Sequence, residues 1–229
     1  MSRKFDRTHY GPGWLEIILG AVLSIVLGGV LAGAFFIFKP VATVKEIPKE
    51  PAPGMVYYIE GSREYSRARR FTAKEKFFIS GGSVVVNEDE LNTAANPVTT
   101  PPPPPPPGTP VAPYTPPTML IAPGTPNFHI ADGLMQIAIP VRIKIDLANL
   151  DTTVLIQATG GFLRRDETYA FVPKTMHIGS CPVERLPMVM EYVLRKFYYA
   201  QPVPEEIVTA WSKLADVTIQ GSTLKLKMP

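Results

Sequence analysis

The sequence predicts an α+β protein, in which an N-terminal transmembrane helix is followed by a curved antiparallel sheet packed on one or two helices. Three observations predict this class. An uncharged apolar run near the N-terminus is long enough to cross a membrane. A later segment alternates apolar and polar residues as a half-buried strand does, and short helical segments follow it.

Shifts in composition divide the chain into six parts. They are an N-terminal tail (1–13), a transmembrane helix (14–39), a spacer (40–61), a helix–strand–helix segment (62–96), a Pro-rich linker or inserted loop (97–126) and an antiparallel β-rich domain with two helices (127–229).

The overall composition excludes some classes of function. A net charge of +3 is too small to favour nucleic acid as a partner, because that needs basic residues concentrated on one face. The 26 prolines are about twice the average usage. The single cysteine, Cys181, cannot form an internal disulfide, which suits either a cytosolic protein or an envelope protein that relies on its core alone.

The apolar run from Ile17 to Phe38 carries no charge and predicts a membrane-spanning helix. At about 1.5 Å per residue it crosses a hydrocarbon layer of roughly 30 Å. Trp14 and Lys39 flank it with side chains that suit the membrane interface. The alternative is a cleaved signal peptide ending at the small residues 32–34. Because the apolar run continues past them, we favour an uncleaved signal anchor.

This helix predicts a single-pass cell-membrane protein with its C-terminal domain on the outer side. Three basic residues precede the helix and three follow it closely, so the positive-inside rule gives little direction. The orientation therefore rests on the short tail and the long C-terminal part. Gly29 and Gly33 form a GxxxG pair, which predicts a homodimer contact; the alternative is that glycine is simply common in membrane helices.

Three consecutive acidic residues, Glu88, Asp89 and Glu90, follow a short strand of valines. Asn87 and Glu90 have the spacing of a capping box. The other two fall in the first helical turn, where the helix dipole favours carboxylates. Consecutive helical positions point in different directions, so the three carboxylates do not converge on one ion. We therefore predict a helix start here and no metal site.

Two segments beside this helix start are less regular. Residues 62–78 predict a helix capped by Ser62, whose basic face either rests on lipid head groups or is simply solvated. The Pro-rich segment contains seven consecutive prolines, Pro101–Pro107, which predict an extended polyproline helix in a disordered region. That segment is either a solvated spacer or a ligand for a proline-reading domain.

The C-terminal part begins with a hairpin turn predicted at Asp132-Gly133. The long strand after it has one aliphatic face and one polar face. Pro140 indicates an edge position or a bulge in that strand. A Gly160-Gly161 break then separates shorter strands of an antiparallel meander.

Two helices and a hairpin close the chain. Pro187 opens a helix that runs to about Tyr199, and Pro204 opens a second one. A final hairpin turns at Gly221-Ser222.

The long strand and the first of these helices supply candidate lining residues for an apolar groove. They are Ile137, Ile139, Val141, Ile143, Ile145, Val189, Val193 and Phe197. If helix and sheet pack tightly, these residues are core; if they stand apart, the same residues line a ligand site. Hydrophobic periodicity shows which face is turned away from water, but it does not distinguish a packed core from a ligand site.

No motif for catalysis is present in the sequence. It contains no phosphate-binding Gly-rich loop, GxSxG, HExxH or paired CxxC. His177 and Cys181 are four residues apart, but a Cys–His pair also needs a third, orienting group. We interpret Cys181 as structural and predict neither enzymatic activity nor a cofactor.

Short motifs carry one resemblance to a known family. The helix start Glu88–Asn92 (EDELN), the pair Ile178-Gly179 and the later Leu186-Pro187 resemble those of small membrane-anchored bacterial proteins with a tubular lipid-binding (TULIP-like) domain. The resemblance covers 83–96 and 127–229. It implies a strongly bent sheet wrapped around a helix, with a trough for acyl chains. The Pro-rich insertion departs from this pattern and would alter the mouth of such a trough.

These predictions lead to one functional hypothesis and one alternative. The first is a membrane-anchored envelope protein whose outer domain binds a lipid or another apolar ligand, with the bilayer as its first partner. The alternative is a non-enzymatic scaffolding or assembly subunit of an envelope complex, which recruits partners through the Pro-rich arm.

Overall fold

The computed structural model describes residues 13–64, 66, 70–95, 119–184, 186–198 and 203–229. Most of the predicted tail and the prolines Pro101–Pro107 lie outside the described residues. In chain order the described helices and strands are α1 (Trp14–Phe38), β1 (Ala42–Val44), β2 (Tyr57–Ile59), α2 (Phe71–Ile79), β3 (Val84–Asn87), α3 (Glu88–Ala94), β4 (Met119–Pro123), β5 (Asn127–Ala131), β6 (Leu134–Ile145), a 3-10 turn (Asp146–Ala148), β7 (Leu150–Arg165), β8 (Thr168–Ile178), β9 (Cys181–Pro182), α4 (Pro187–Val193), a π-helical turn (Leu194–Tyr198), α5 (Glu205–Ser212), β10 (Asp216–Gln220) and β11 (Thr223–Lys227).

Helix α1 is a 25-residue helix with no buried residue, and it is long and apolar enough to span a membrane. Its polar groups are satisfied locally. The Glu16 carboxylate accepts from the Gly13 amide at 3.1 Å, and the Ser24 hydroxyl donates to the Gly20 carbonyl at 2.8 Å. The apolar run therefore exposes no unpaired side-chain polar group between Ile17 and Phe38.

The main sheet has six antiparallel strands in the order β4-β6-β7-β8-β9, with β5 pairing beside β4 on the outer edge of β6. The predicted meander is confirmed as β6-β7-β8. The predicted hairpin at Asp132-Gly133 is confirmed as well, since both residues have positive φ, as a type I′ turn requires. The edge strand β4 lies in the segment predicted as Pro-rich linker, so that linker ends earlier than position 126.

Pro140 occupies a gap along the outer edge of β6. Strand β5 pairs with residues 134–138 and β4 with residues 141–145, so neither reaches Pro140. The Pro140 carbonyl accepts from the Gly124 amide at 2.7 Å, in the connection between the two edge strands. The missing N–H of Pro140 faces the same edge, where no ladder bond is lost. The predicted edge position or bulge is therefore corrected: Pro140 lies on an interior strand, at a local gap between the edge strands β4 and β5.

The glycines at 160 and 161 do not end a strand, contrary to prediction. Strand β7 runs through them without interruption, and its pairing with β8 shifts between Thr159 and Gly160, leaving Lys174 as the extra residue of a bulge. A Cβ on Gly160 would lie 2.1 Å from the Val172 carbonyl oxygen. Glycine is therefore needed for close strand approach, and the bulge bends the strand.

The predicted spacer is part of the fold. Strands β1 and β2 pair in parallel, and Tyr58 of β2 is buried. The Tyr58 hydroxyl and the Gly61 amide both donate to Asn127 Oδ1, at 2.9 and 2.8 Å. Sequence reasoning missed this segment because its polar, Pro-containing composition hides two strands of three residues each.

The helix predicted over 62–78 is described only in part. Residues 62–64 are not helical, Ser66 is helical, and residues 65 and 67–69 lie outside the described residues. Helix α2 covers Phe71–Ile79, and Ser62 donates through its amide to Glu88 and through its hydroxyl to Asp89, each at 2.5 Å. Of the predicted basic face, Lys74 pairs with Glu90 at 2.7 Å and is therefore used inside the fold.

The capping box at the start of α3 is confirmed. Asn87 Oδ1 accepts from the Glu90 amide at 2.8 Å, and the Glu90 carboxylate accepts from the Asn87 amide at 3.0 Å. Strand β3 before it pairs with β11, so the closing β10–β11 hairpin, itself confirmed, becomes a three-stranded sheet.

Helix α3 also covers the free edge of β5. Glu88 and Asn92 lie one turn apart on this helix, and they accept from the amides of Ile130 and Phe128 at 2.9 and 2.7 Å. Asn92 returns a bond to the Phe128 carbonyl at 2.8 Å. The two side chains thus take the place of a neighbouring strand and protect an open sheet edge. Capping alone had explained only part of this acidic cluster.

The apolar face of the sheet carries the core. Ile139, Val141, Ile156, Ala158 and Met176 are buried there by α4, the π-helical turn and α5. Fully burying each large aliphatic side chain stabilises the fold by roughly 1.5–3 kcal/mol. Trp211 of α5 adds a hydrogen bond to the Tyr169 carbonyl at 2.7 Å, which fixes α5 against β8.

The Glu88 carboxylate predicts a specific dependence of stability on pH. Burial alone would raise the pKa of Glu88, but hydrogen bonds involving His129, Ile130 and Ser62 outweigh it and lower this pKa below the ordinary 4.5. Because the folded-state pKa is lowered, the stabilisation is present above the ordinary glutamate pKa and is lost as pH falls through the lowered value. We expect Glu88→Gln to cost about 1–2 kcal/mol at pH 7.

Thermal unfolding of the wild type and Glu88→Gln between pH 7 and pH 3 measures this difference, which should shrink towards pH 3. Glu46→Gln, at an exposed position, is the matched control and should remain close to the wild type throughout. A difference that stays constant over this pH range would contradict the assignment.

Candidate functional site

An open apolar groove of about 690 Å³ lies between the main sheet and helix α4. Five of the eight predicted lining residues line it: Val141, Ile143, Val189, Val193 and Phe197. The first two come from β6, the next two from α4 and the last from the π-helical turn. Helix and sheet therefore stand apart along part of their length, and pack as core elsewhere.

The strand next to β6 widens the apolar floor of the groove. Val154 of β7 lies directly opposite Val141, and Ile156 lies opposite Ile139. Ile178 of β8 in turn lies opposite Ile156. Sequence reasoning missed these residues as lining, because the apolar run Val154–Ile156 does not alternate and so does not show which of its side chains face the groove.

The remaining predicted residues have other places. Ile137 and Ile139 line a second open groove of about 900 Å³, between β6 and the helices α2 and α3. Ile145, at the end of β6, lines neither groove. Phe197 lines the first groove and Tyr198 the second, so the π-helical turn lies between them. The Tyr198 hydroxyl donates to the Ile137 carbonyl at 3.1 Å, and burial raises the pKa of Tyr198.

The end of α1 forms one wall of the first groove. Ile37 lines it, as do residues of α4 and Ile121 of the edge strand β4. The Phe36 carbonyl, which the helix itself leaves unpaired, accepts from the Ser180 amide at 2.9 Å. The Ser180 hydroxyl donates to the Lys39 carbonyl at 3.2 Å. The turn between β8 and β9 thus holds the last residues of α1.

Glycine is required at position 179 in this turn. Gly179 has φ +57°, and a Cβ there would lie 2.0 Å from the Ile37 carbonyl oxygen. Both the left-handed backbone and the close approach of α1 exclude a side chain. The Ile178-Gly179 pair noted in the sequence therefore marks the junction between α1 and the sheet.

The described lining of the groove includes one charged residue. It is Lys196, which belongs to the π-helical turn and is exposed. The neighbouring Arg195 pairs with Glu191 at 3.0 Å on the outer surface of α4. An apolar groove with a cation at its margin suits a ligand that has an apolar part and a neutral or anionic head.

The strand register places His177 and Cys181, which are four residues apart in the sequence, on different faces of the sheet. His177 lies opposite Pro182, and Ile178 lies opposite Cys181. Because side chains alternate along a strand, His177 and Cys181 project from opposite faces of the sheet. Cys181 packs against the core, where burial raises the pKa of its thiol.

Two further predictions can be placed on the structure. A Cβ added to Gly29 or Gly33 of α1 would meet no atom within 4 Å, so this stripe is uncovered and the homodimer contact stays a prediction. Within the described parts of the chain, no three side chains of His, Cys, Asp or Glu converge as a metal site.

A scan against protein-family models, a search of curated proteins and a search of solved structures each found no match for this chain. The resemblance to TULIP-like proteins therefore stays a prediction carried by the short motifs.

The α1 junction generates a prediction about stability. We expect Gly179→Ala to destabilise the protein by at least about 1–2 kcal/mol, because alanine disfavours the left-handed conformation and its Cβ meets Ile37. This corresponds to a fall in Tm of roughly 2–8 °C for a chain of this size.

The matched control is Gly161→Ala, where a Cβ has no atom within 4 Å. Hydrogen–deuterium exchange should show faster exchange at Ser180 in Gly179→Ala only. Equal melting and equal exchange in the two variants would rule out the proposed tight junction.

Proposed function

We propose that this chain is a single-pass, membrane-anchored envelope protein whose α+β domain takes an acyl chain, or another apolar ligand, from the adjacent bilayer into the groove between β6 and α4. The observation that carries this proposal is that Ile37, at the end of the candidate membrane-spanning helix, lines the groove itself. An apolar ligand leaving the membrane beside α1 would enter the groove without crossing water.

The size of the groove supports a lipid-like ligand. Its volume of about 690 Å³ lies within the roughly 300–1,000 Å³ that ligand pockets occupy. Its described lining is almost wholly aliphatic and aromatic, with Lys196 as the exception. An acyl chain would contact the floor formed by Val141 and Val154, while an anionic head would lie nearest Lys196.

Exposed apolar side chains around the groove support a position at the membrane surface. Leu186, Met188 and Tyr192 of the α4 region are 51%, 87% and 64% exposed. Tyr192 also lines the groove together with Ile37, so this face of α4 lies close to the end of α1. At the membrane interface such side chains are favourable, whereas in water they would be an apolar patch.

The arrangement of helix over sheet is also what the TULIP-like resemblance implies, and the periplasmic side is part of the same proposal. The alternative scaffolding function depends on Pro101–Pro107, which lie outside the described residues.

A variant that fills the groove tests the proposal. Val189 is 38% exposed on α4 and lines the groove, so Val189→Trp would occupy groove volume without overpacking the core. We expect a loss of at least about tenfold in affinity for a fluorescent fatty acid, since a filled groove excludes the chain.

Val208→Trp is the matched control, because Val208 is 54% exposed on α5 and does not line the groove. Both variants and the wild type would be measured in nanodiscs, with native mass spectrometry for co-isolated lipid. Equal probe binding in Val189→Trp and Val208→Trp, or a wild type that binds no probe, would refute the proposal.

A further inference from the structure

The face of the main sheet opposite the groove between β6 and α4, the proposed lipid groove, carries a second pocket with a polar floor and a largely apolar cover. A pocket of about 410 Å³ lies between this face and the segment that contains β2. We call it the polar-face pocket, and its polar lining residues are His129, Asp132, Gln136, Gln157, Thr159, Thr175 and His177.

Strand register builds the floor of the polar-face pocket as two rows of facing side chains. In the first row His129 lies opposite Gln136, Gln136 opposite Thr159, and Thr159 opposite Thr175, so that four strands contribute one residue each. In the second row, two residues along, Gln157 lies opposite His177. Members of one row are about 4.7–4.9 Å apart, the spacing between strands.

Several of these polar groups have hydrogen-bonding capacity to spare. Gln136 and Gln157 hydrogen-bond each other at 3.1 Å, which leaves half of each amide available. Among the described residues, Thr159, Thr175 and His177 have no side-chain hydrogen-bond partner. His129, by contrast, is oriented by Glu88 through its Nδ1 at 3.1 Å. The floor therefore offers donors and acceptors that the fold itself does not use.

The charge of the pocket limits its ligand. Of the described lining residues none is Lys or Arg, and Asp132 is the one carboxylate. Burial lowers the pKa of His177 more than the Glu184 carboxylate raises it, so this imidazole is neutral at pH 7. A phosphate or carboxylate ligand would meet a carboxylate and no fixed cation, so the pocket disfavours anions.

One wall of the pocket holds the ring of Tyr57 among aliphatic side chains that include Ile47, Met55 and Ile59. The Tyr57 hydroxyl accepts from the Ala52 amide at 2.9 Å, which fixes the ring beside the polar floor. An aromatic wall next to closely spaced amide, imidazole and hydroxyl groups suits a ligand with apolar C–H faces and hydroxyl edges. Hydroxyl groups both donate and accept hydrogen bonds. A floor that carries donors and acceptors therefore suits a hydroxylated ligand better than a ligand that only donates or only accepts.

We propose that the polar-face pocket binds an uncharged sugar unit of hexose size, carried either by a soluble glycan or by the head group of a glycolipid. Hydroxyls two carbons apart on a pyranose ring match the distance between neighbouring strands, so that adjacent members of one row each bind one hydroxyl. The pyranose face lies against the ring of Tyr57. This site is on the opposite sheet face from the lipid groove and does not depend on it.

The test removes two hydroxyls from the floor without changing the shape of the strands. Thr159→Val/Thr175→Val keeps β-branched side chains in β7 and β8 and deletes two hydrogen-bonding groups. The matched control is Thr153→Val, on the same face of β7 but outside this pocket. The full chain would be used in nanodiscs, and folding of each variant would be checked by thermal unfolding.

Lactose and N,N′-diacetylchitobiose are the soluble probes, and nanodiscs with or without monoglucosyldiacylglycerol are the lipid arm. We expect saturable binding in at least one arm and a loss of about tenfold in affinity in the double variant only, from the two lost hydrogen bonds. Binding of the soluble probes assigns a free glycan, and binding in the lipid arm alone assigns a glycolipid. Inorganic phosphate should not compete.

The side-chain amide signals of Gln136 and Gln157 in the wild type provide a second readout that needs no variant, since a bound sugar should shift both. Binding in neither arm by a folded wild type would overturn the proposal. So would equal affinity in the double variant and Thr153→Val, or probe binding that leaves both glutamine signals unchanged.

Discussion

The pairing register of β6 with β7 is the constraint on which the rest of this fold depends. Because side chains alternate along a strand, this one register sets Ile139, Val141, Val154 and Ile156 on one face and Gln136, Gln157 and Thr159 on the other. A slip of one residue would exchange the two faces of β6 and expose its aliphatic side chains. The two strands are joined by the 3-10 turn Asp146–Ala148, which Asn149 closes in the left-handed conformation while its amide donates to the Asp146 carbonyl at 3.1 Å.

The two faces are covered by different parts of the chain. Helices α4 and α5 cover the aliphatic face, and the segment with β1 and β2 covers the polar one through Tyr58 and Asn127. The segment with β1 and β2 follows α1 directly in the chain. The sheet is therefore held both by the last residues of α1, before Pro40, and by the segment after Pro40. Together with the bond from Ser180 to Phe36, this fixes where the groove lies relative to the end of α1.

Sequence reasoning could find whatever local chemistry dictates. The apolar length of α1, the capping box of Asn87 and Glu90, and the turn at Asp132-Gly133 each follow from a few neighbouring residues, and all three are present. The eight candidate groove residues were identified from alternation and helical spacing, and seven of them line one of the two grooves. Alternation could not separate these two grooves, because the π-helical turn between them has no signature in the residue pattern.

What sequence reasoning missed depends on partners far away in the chain. The strands β1 and β2 exist because Asn127 and the sheet lie against them, and Glu88 covers a strand more than 40 residues later. A glycine pair disfavours a strand locally and so predicts a break at Gly160, whereas the close approach of Val172 makes glycine necessary there within a continuous strand. Each of these features is set by tertiary packing, which outweighs local preference.

An apolar groove that opens beside a bilayer differs in energetics from one that opens into water. A chain entering from water gains roughly 0.8 kcal/mol for each buried methylene, but a chain leaving the bilayer exchanges one apolar environment for another. Net affinity must then come from tight packing and from contacts to the head group, for which Lys196 is the nearest charge. The groove is open and has this one charged residue among its described lining, so selective retention would be weak. For the proposed lipid ligand, that balance would favour reversible exchange with the adjacent leaflet over storage, and binding measured from water would overstate the affinity at the membrane.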